Sequence, residues 1–379
     1  MDVPESFRDV RERFEAGVAG GEEVGASFCV MVDGEVVVDL WGGHADRART
    51  RPWQRDTIVN VWSATKPIAA LIALLTVDET RPVAHYWPEF AANGKRDITV
   101  AQVLSHSSGL SGWREPITTE DLYDWEKCTS LLAAQEPFWQ PGTASGYHVI
   151  TQGYLVGEVV RRVTGETIGT MLREQTAADF HIGLAESEDV RVAELVPPEN
   201  PPFREGQISE IQLNAARNPP LPPETTATRA WRAAEIPAGN GHGNARSMAR
   251  VLSILTEPGR ASLAARIERE QIAGTDLVLG IPLRWGLGFA LGRDFLPGPR
   301  TLFWGGSGGA FVAVDLDARA VLAYAMNRMG DGIGDLRGLL LATEAWASLH
   351  SSRPGAPGPS SGARPSGRPG RAGNGSVEK

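Results

Sequence analysis

Two strand-like apolar runs stand near the N-terminus, SFCVMV and EVVVDLW, with Asp33-Gly34 between them. A D-G pair between such runs predicts a tight hairpin. Ahead of them, residues 5–18 mix apolar and charged positions at helical spacing, which predicts an amphipathic helix. A turn-rich stretch then leads to the apolar run TIVNVW and to a predicted helix over 63–77. Pro67 lies in the first turn of that helix, where a missing N–H costs nothing. Thr99 and Gln102 have the spacing of a capping box, opening a short helix that ends near His106. Residues 150–163 read as a helix with Gly165 as its left-handed cap, and 245–256 as another. Strands return as TLFW, AFVAVDL and AVLAYAM in the span 301–326, followed by a helix over 336–349.

Strands at both ends around a helical middle predict one sheet built from both termini, with a helical lobe inserted between them. The expected fold class is mixed α/β (α+β), an antiparallel sheet flanked by helices plus a helical lobe. One domain is expected over 1–350, its sheet lobe from roughly 1–60 and 250–350 and its helical lobe from roughly 61–249. Residues 201–230, rich in Pro and Asn, are expected to form an irregular surface segment. The Pro/Gly/Ser/Arg-rich tail 351–379 is expected to be disordered.

Composition narrows the function classes. With 42% hydrophobic and 22% charged residues, 379 positions suffice for a dry core. The net charge is −9 and no basic patch stands out in the folded part, so no nucleic-acid partner is expected. No apolar run reaches the eighteen or so residues of a membrane span, so no membrane partner is expected either. The charged N-terminus lacks the apolar core of a secretory signal. Cys29 and Cys128 are too few for a disulfide framework, and a cytoplasmic location is expected. One bias is informative: of 37 basic residues only Lys66, Lys95, Lys127 and Lys379 are lysine. A chain that writes Arg almost everywhere leaves its few lysines open to a role that needs proton loss, and this points toward Lys66.

Lys66 belongs to the tetrad Ser63-Ala64-Thr65-Lys66, an S-x-x-K at the start of the apolar helix. A spacing of three puts both side chains on one helical face. A serine hydroxyl needs a base to take its proton, and an amine can be that base once burial lowers its pKa. The helix N-terminus adds positive field and free N–H groups for an oxyanion. The plainer reading makes Ser63 only an N-cap, so the tetrad needs company.

That company comes in order along the chain. The segment WGGHADRARTRPWQRDTIVNVWSATKPIAAL resembles the region around the catalytic serine of class C β-lactamases and family VIII carboxylesterases, penicillin-binding-protein-like serine hydrolases. VLSHSSGL, FWQPGTASGYHVITQGYLVGEVVRRVTG, NGHGNARSMARV, RWGLGFALG and TLFWGGSGGAFVAVD resemble further blocks of that family, and together they cover roughly residues 5–350. The resemblance implies a β-lactamase/penicillin-binding-protein-like fold. It implies Ser63 as nucleophile, with Lys66 and Tyr147 handling its proton. A phenol held among cations can lose its proton near neutral pH and then accept one from Ser63. The N–H groups of Ser63 and Ser307 are expected to form the oxyanion hole. Trp304, Gly305, Gly306 and His242 are expected to bind substrate, the glycines by letting the strand backbone come close.

Two departures steer the substrate. Tyr147-His148-Val149 lacks the Asn of Y-x-N, and Trp304 stands where relatives carry the lysine of K-T-G. An aromatic wall without that cation suits a neutral acyl group. The expected activity is therefore a serine esterase acting on small neutral carboxylic esters, with no cofactor and no metal. The alternatives are an acyltransferase on the same site, a non-catalytic binding member of the fold, and a β-lactamase or D-aminopeptidase. A third departure is the stretch TVDETRPVAHYWPEF, which is shorter than in relatives; this loop after Val77 is the feature that favours a binding protein.

Other signals carry less. Gly305-Gly306-Ser307-Gly308-Gly309 reads G-x-S-x-G, but a nucleophile elbow needs a strand–turn–helix and both flanks here look like strands. His106 and His242 could complete a Ser-His-Asp triad; His106 reads better as a structural residue of a helix-ending turn. GNGHGNAR lacks the strand–helix setting of a dinucleotide fingerprint. Oligomeric state cannot be read from the sequence.

Overall fold

The computed structural model describes residues 3–198, 208–294, 296–330 and 335–351. The proposed disordered tail lies outside them, apart from Ser351.

Helix α1 (Arg8–Gly20) precedes the hairpin of β1 (Gly25–Val32) and β2 (Glu35–Gly43). Asp33 and Gly34 turn it with positive φ of 52° and 82°, the twist a two-residue hairpin requires. Strand β3 (Val59–Asn60) leads into α2 (Thr65–Leu74) through one tight 3-10 turn, Trp62–Ala64. The middle of the chain is helical: α3 (Val83–Tyr86), α4 (Val100–Leu104), α5 (Trp125–Ala134), α6 (Thr151–Thr164), α7 (Ile168–Gln175), α8 (Glu210–Arg217) and α9 (Arg229–Ala233). The Thr99–Gln102 capping box opens α4, and Gly165 caps α6 at φ 79°. Strand β4 (His242–Gly243) pairs with β3, and α10 (Ala245–Leu252) and α11 (Ala261–Glu268) follow. Then come β5 (Ile272–Thr275), β6 (Pro282–Trp285), β7 (Ala290–Leu291), β8 (Thr301–Gly305), β9 (Phe311–Asp315), β10 (Ala320–Met326) and α12 (Arg337–Ser351).

Eight strands form one antiparallel sheet in the order β2-β1-β10-β9-β8-β7-β6-β5. Both termini thus contribute, as the pattern predicted. Its two faces follow from the period-two register. Phe28 pairs with Tyr324, and Tyr324 packs beside Gly338 of α12. Ser27, one residue away, points to the other face and accepts the Ala245 N–H of α10. Helices α1 and α12 therefore cover one face and α10 the other, which explains why β1 and β10 are apolar throughout.

Helix α2 lies between the sheet and the helical lobe. All ten of its side chains are buried, and it packs against α6, α7 and α10. Each buried Leu or Ile there contributes roughly 1.5–3 kcal/mol. Its position is also fixed from the sheet, where the β6–β7 turn puts Gly288 (φ 78°) against Ala70, and the Gly288 N–H donates to Leu104 O at 3.0 Å.

Three expectations change. Strands β5 to β7 were not predicted, because they are short and polar on one side, and β7 has only two residues. The segment 201–230 is not irregular throughout: its first residues lie outside the described ones, but α8 forms within it, opened by Ser209 as N-cap, and α9 begins at its end, opened by Thr228. The short loop after Val77 leaves no gap. Buried Glu79 is ion-paired with Arg266 of α11, its backbone carbonyl takes the Ala101 N–H at 2.8 Å, and Arg81 O takes the Val100 N–H at 3.1 Å. Burial pushes the Glu79 carboxyl up, but the Arg266 guanidinium and hydrogen bonding outweigh it and hold the group below the ordinary carboxylate range.

Adding one methyl group at Gly288 would bring its Cβ to 2.2 Å from the Ala70 Cβ, on a backbone conformation that alanine resists. Gly288→Ala is expected to lower the unfolding free energy by about 1–3 kcal/mol. Urea denaturation checks this, and a midpoint equal to wild type would refute the tight contact.

Candidate active site

Ser63 lies in the turn that joins β3 to α2. The residue before it, Trp62, has φ 48°, a conformation costing a non-glycine residue roughly 1–2 kcal/mol. Thr65, the third residue of the tetrad, holds that backbone in place. Its hydroxyl donates to Trp62 O at 2.5 Å and accepts the Gly241 N–H at 2.9 Å. The Val61 N–H donates to Gly241 O at 2.9 Å, so the Gly-rich segment is bonded to the serine turn from both sides.

Lys66 is 1% exposed, and its amine has three partners: Ser63 Oγ at 2.9 Å, Val149 O at 2.6 Å and Ala238 O at 2.8 Å. Val149 stands just before α6, and Ala238 just before β4. Burial holds the Lys66 amine well below its ordinary pKa. The first turn of α2 adds the positive end of a helix dipole, which also disfavours an ammonium. A neutral amine has two N–H bonds and one lone pair. The two carbonyls can accept only N–H, which leaves the lone pair for the Ser63 hydroxyl.

Tyr147 completes the group. Its ring lies 4.7 Å from the Lys66 nitrogen, and its hydroxyl is hydrogen-bonded to Ser63 and to Trp304. The Trp304 indole N–H donates to the phenol oxygen at 3.0 Å. Burial raises the phenol above its ordinary pKa, more than the Ser63 and Trp304 hydrogen bonds lower it. This corrects the expectation that Tyr147 ionises near neutral pH. The cation that would favour a phenolate is absent because Trp304 occupies the strand position, and Lys66 is itself disposed to be neutral. Burial thus favours the protonated phenol, beside an amine that burial keeps below the ordinary lysine range.

The tyrosine is held from several sides. Asp276 is fully buried, and its Oδ1 accepts the N–H groups of Tyr147 (2.9 Å), Val278 and Leu279 (3.0 Å each). His106, at φ 59°, packs its ring 4.8 Å from Tyr147 and accepts the His148 N–H on Nδ1 at 3.0 Å. His148 bridges Gly146 O and the Ser108 hydroxyl, each at 2.6 Å. Burial lowers the His106 pKa well below its ordinary value and that of His148 to about 4, so both rings are neutral at pH 7. Neither histidine contacts Ser63 as a triad base. Trp285 stacks parallel to Tyr147 at 6.1 Å and stands 4.6 Å from Trp304, building an aromatic wall.

The third strand motif lies on β8. Gly305 pairs with Phe311 at the strand end, and Ser307 is exposed in the turn to β9. The flanks of G-x-S-x-G are both strands, so no elbow forms. Gly306 is needed for close approach: a Cβ there would meet Val61 O at 2.1 Å. The approach is thus of the β8 turn to the serine turn.

His242 is placed differently from the expectation. Its side chain is fully buried, with Nδ1 against Asn240 O at 2.7 Å, and burial lowers its pKa to about 3. With no accessible surface it offers a substrate nothing to touch. Its contribution is through the backbone: paired with Asn60 in β4, it fixes the segment that carries Ala238 O to Lys66.

Asp276, Trp285 and Thr65 were not singled out in the sequence. Asp276 left a weak trace, an Asp followed by an apolar turn, TDLVLG, the pattern of a side chain that bonds the backbone two and three residues on. Trp285 lay inside the block RWGLGFALG without an assigned role. Among the described residues no group of three or more His, Cys, Asp or Glu is placed to hold a metal ion. No helix among them is long and apolar enough to cross a membrane.

Comparison with known proteins agrees with this geometry. The Beta-lactamase family model matches residues 10–344. Esterase/beta-lactamase LipL of Mycobacterium tuberculosis (strain ATCC 25618 / H37Rv) is 32% identical over 312 residues, which are 75% of this chain and 72% of LipL. A crystal structure of a family VIII carboxylesterase shares 42% identity at a TM-score of 0.86, covering 92% of this chain and 99% of that one. A penicillin-binding protein homolog from Caulobacter crescentus shares 38% identity at the same TM-score of 0.86, covering 92% and 99%. The S-x-x-K turn, the tyrosine beside it and the facing β-strand thus sit on the fold of those proteins, and the chain belongs to the Beta-lactamase family.

Proposed function

We propose that the protein is a serine esterase that forms an acyl-enzyme on Ser63 from small, neutral carboxylic esters. The observation that carries the reading is the 2.9 Å contact between Ser63 Oγ and a Lys66 amine whose N–H bonds are already directed to two carbonyls. Such an amine is a base positioned for the serine proton.

In the first step Lys66 takes the Ser63 proton as the hydroxyl oxygen attacks the ester carbonyl. The N–H groups of Ser63 and Ser307 receive the oxyanion. Tyr147 donates its proton to the departing alkoxide, and the Lys66 ammonium resupplies it. Water then attacks the acyl carbon as it gives a proton to Lys66, and the Lys66 ammonium passes that proton to Ser63 Oγ as the acid leaves, which restores the serine hydroxyl and the neutral amine. Trp304 shapes the acyl side of the groove and, through its N–H, keeps the phenol oriented. Relatives named esterases and a carboxylesterase support this class of substrate. A β-lactam carboxylate would find an indole where a lysine would pair with it. The free thiols of Cys29 and Cys128 support a cytoplasmic setting.

A panel of p-nitrophenyl esters tests the reading. Short acyl chains are expected to turn over fastest, and Ser63→Ala to lose activity by at least about 10³-fold. Turnover retained in Ser63→Ala would overturn it. Cephalosporin hydrolysis as fast as aryl-ester hydrolysis would favour a β-lactamase instead, and preferential product transfer to an added alcohol would favour an acyltransferase.

The pH dependence has a definite sign. The active form of Lys66 is the neutral amine, so kcat/KM is expected to rise with pH as the amine loses its proton and to level off below the ordinary lysine range near 10.5. Lys66→Arg keeps a charge that cannot be shed, and it is expected to abolish turnover without abolishing the fold. An Arg variant active at neutral pH would exclude Lys66 as the base.

Trp304→Phe keeps an aromatic wall and deletes the N–H to Tyr147. One hydrogen bond of this kind is worth about 1 kcal/mol, so kcat is expected to fall roughly five- to tenfold with KM nearly unchanged. Steady-state kinetics on one short-chain ester check this; an unchanged kcat would remove Trp304 from the proton path.

A further inference from the structure

We infer that Arg337 is a positioning residue of the oxyanion hole, acting through the β8–β9 turn that carries Ser307. The inference rests on the esterase reading, because that reading gives the Ser307 N–H its role.

The turn is held by its own backbone first. The Gly306 N–H donates to Ala310 O at 2.7 Å, and the Gly309 N–H to Gly306 O at 3.1 Å. The Gly306 carbonyl and the Ser307 N–H belong to one planar peptide unit, so fixing the carbonyl fixes the direction of the N–H. A turn this rich in glycine has little stiffness of its own: Gly308 and Gly309 both have positive φ, 82° and 126°. Rigidity must come from what lies behind it.

Two groups do. The Gly308 carbonyl accepts the Gly330 N–H at 2.9 Å and Arg337 Nη2 at 3.3 Å. Met329 packs so closely that a Cβ on Gly308 would come within 2.6 Å of the Met329 Cβ. The same guanidinium binds Arg328 O at 2.7 Å and Asp335 Oδ2 at 2.5 Å through Nη2. Through Nη1 it binds Glu22 O at 3.1 Å and Glu23 Oε2 at 2.6 Å. Glu23 is buried and also accepts the Tyr324 hydroxyl. One planar fork thus joins the loop before β1, the chain leaving β10, the start of α12 and the oxyanion turn. The Nη2 hydrogens are shared among three acceptors, and the contact to Gly308 is the longest of them. It weakens first if the fork tilts. Lysine cannot replace this geometry, since a point charge on a flexible stem offers no fixed fan of donors.

The test uses the full chain with Arg337→Lys and Asp335→Asn. Reactive Ser63 is counted by exhaustive fluorophosphonate labelling, so that rates are per competent site. Complete loss of an oxyanion donor costs about 10²–10³ in kcat, and mis-aiming one is expected to cost roughly ten- to a hundredfold. KM for a short p-nitrophenyl ester is expected to stay within about twofold, as a ground-state carbonyl uses the hole little. The inhibition constant of an arylboronic acid, whose tetrahedral adduct places an oxygen in the hole, is expected to rise by the same factor as kcat falls. A purely structural arginine would lower thermal stability and the labelled fraction, but leave per-site kcat and boronate affinity at wild-type values; that result would overturn the inference. If Arg337→Lys does not fold, Asp335→Asn, which keeps the guanidinium and removes one of its anchors, decides by the same comparison. Wild-type ester turnover and its loss in Ser63→Ala test the esterase reading separately. If that reading fails, boronate affinity still compares the turn between wild type and variants.

Discussion

A lysine amine kept in a dry interior, with no partner carboxylate among the described residues, is the constraint on which the site depends. Moving an ammonium out of water costs several kcal/mol even after the protein relaxes. The fold offers Lys66 two backbone carbonyls and a serine hydroxyl instead of a counter-ion. Those partners satisfy a neutral amine completely and repay the burial of an ammonium only in part. On the proposed reading, the protein therefore keeps a base at its centre by withholding charge. Much of the surrounding architecture supplies those two carbonyls. Val149 is delivered by the segment that also carries Tyr147, and Ala238 by the segment paired with β3. Gly153 is required where α6 passes the second segment, since a Cβ there would lie 2.6 Å from the Ala238 nitrogen.

The same constraint fixes how the tyrosine works. Where a strand lysine faces the phenol, two cations can share the task of stabilising a phenolate. Here the facing group is an indole N–H, which directs the phenol oxygen without charging its surroundings. In the proposed mechanism the proton stays on Tyr147, and the base function falls to Lys66. On the proposed reading, Trp304 at this position has two linked consequences: it leaves no lysine there to pair with an anionic substrate, and it leaves basicity to the amine and not the phenol. Substrate charge and proton path are read from the same side chain.

What the sequence disclosed, and what it did not, follows from the range of each signal. The hairpin at Asp33-Gly34, the capping box at Thr99 and the cap at Gly165 are local, and each is legible in a few residues. The Ser63–Lys66 pair is local too, because helical spacing places both on one face. Tyr147 and Trp304 could be put in the site only through ordered resemblance along the chain, since 84 and 241 positions separate them from Ser63. Their protonation and hydrogen bonding depend on desolvation, which no motif records. Asp276, Trp285 and Thr65 act by pinning backbone or stacking on rings across the fold, and their residue types are unremarkable where they stand. His242 shows the converse: a conspicuous histidine in a Gly-rich segment serves through its peptide groups, with its ring turned into the interior.

The proposed oxyanion side of the groove obeys a different logic from the proposed proton side. Lys66 is positioned by burial, whereas Ser307 is exposed on a turn whose glycines are only half-buried. Gly306 must lack a side chain for the turn to reach Val61, and Gly308 must lack one to clear Met329. Those requirements leave the turn soft. A soft turn can aim a dipole only if something rigid stands behind it, and a guanidinium bonded to two carboxylates and several carbonyls is rigid in that sense. Close approach and stiffness are thus supplied by different parts of the chain. On the proposed reading, the glycines let the two oxyanion donors approach, and the ionic cluster at the start of α12 keeps them aimed.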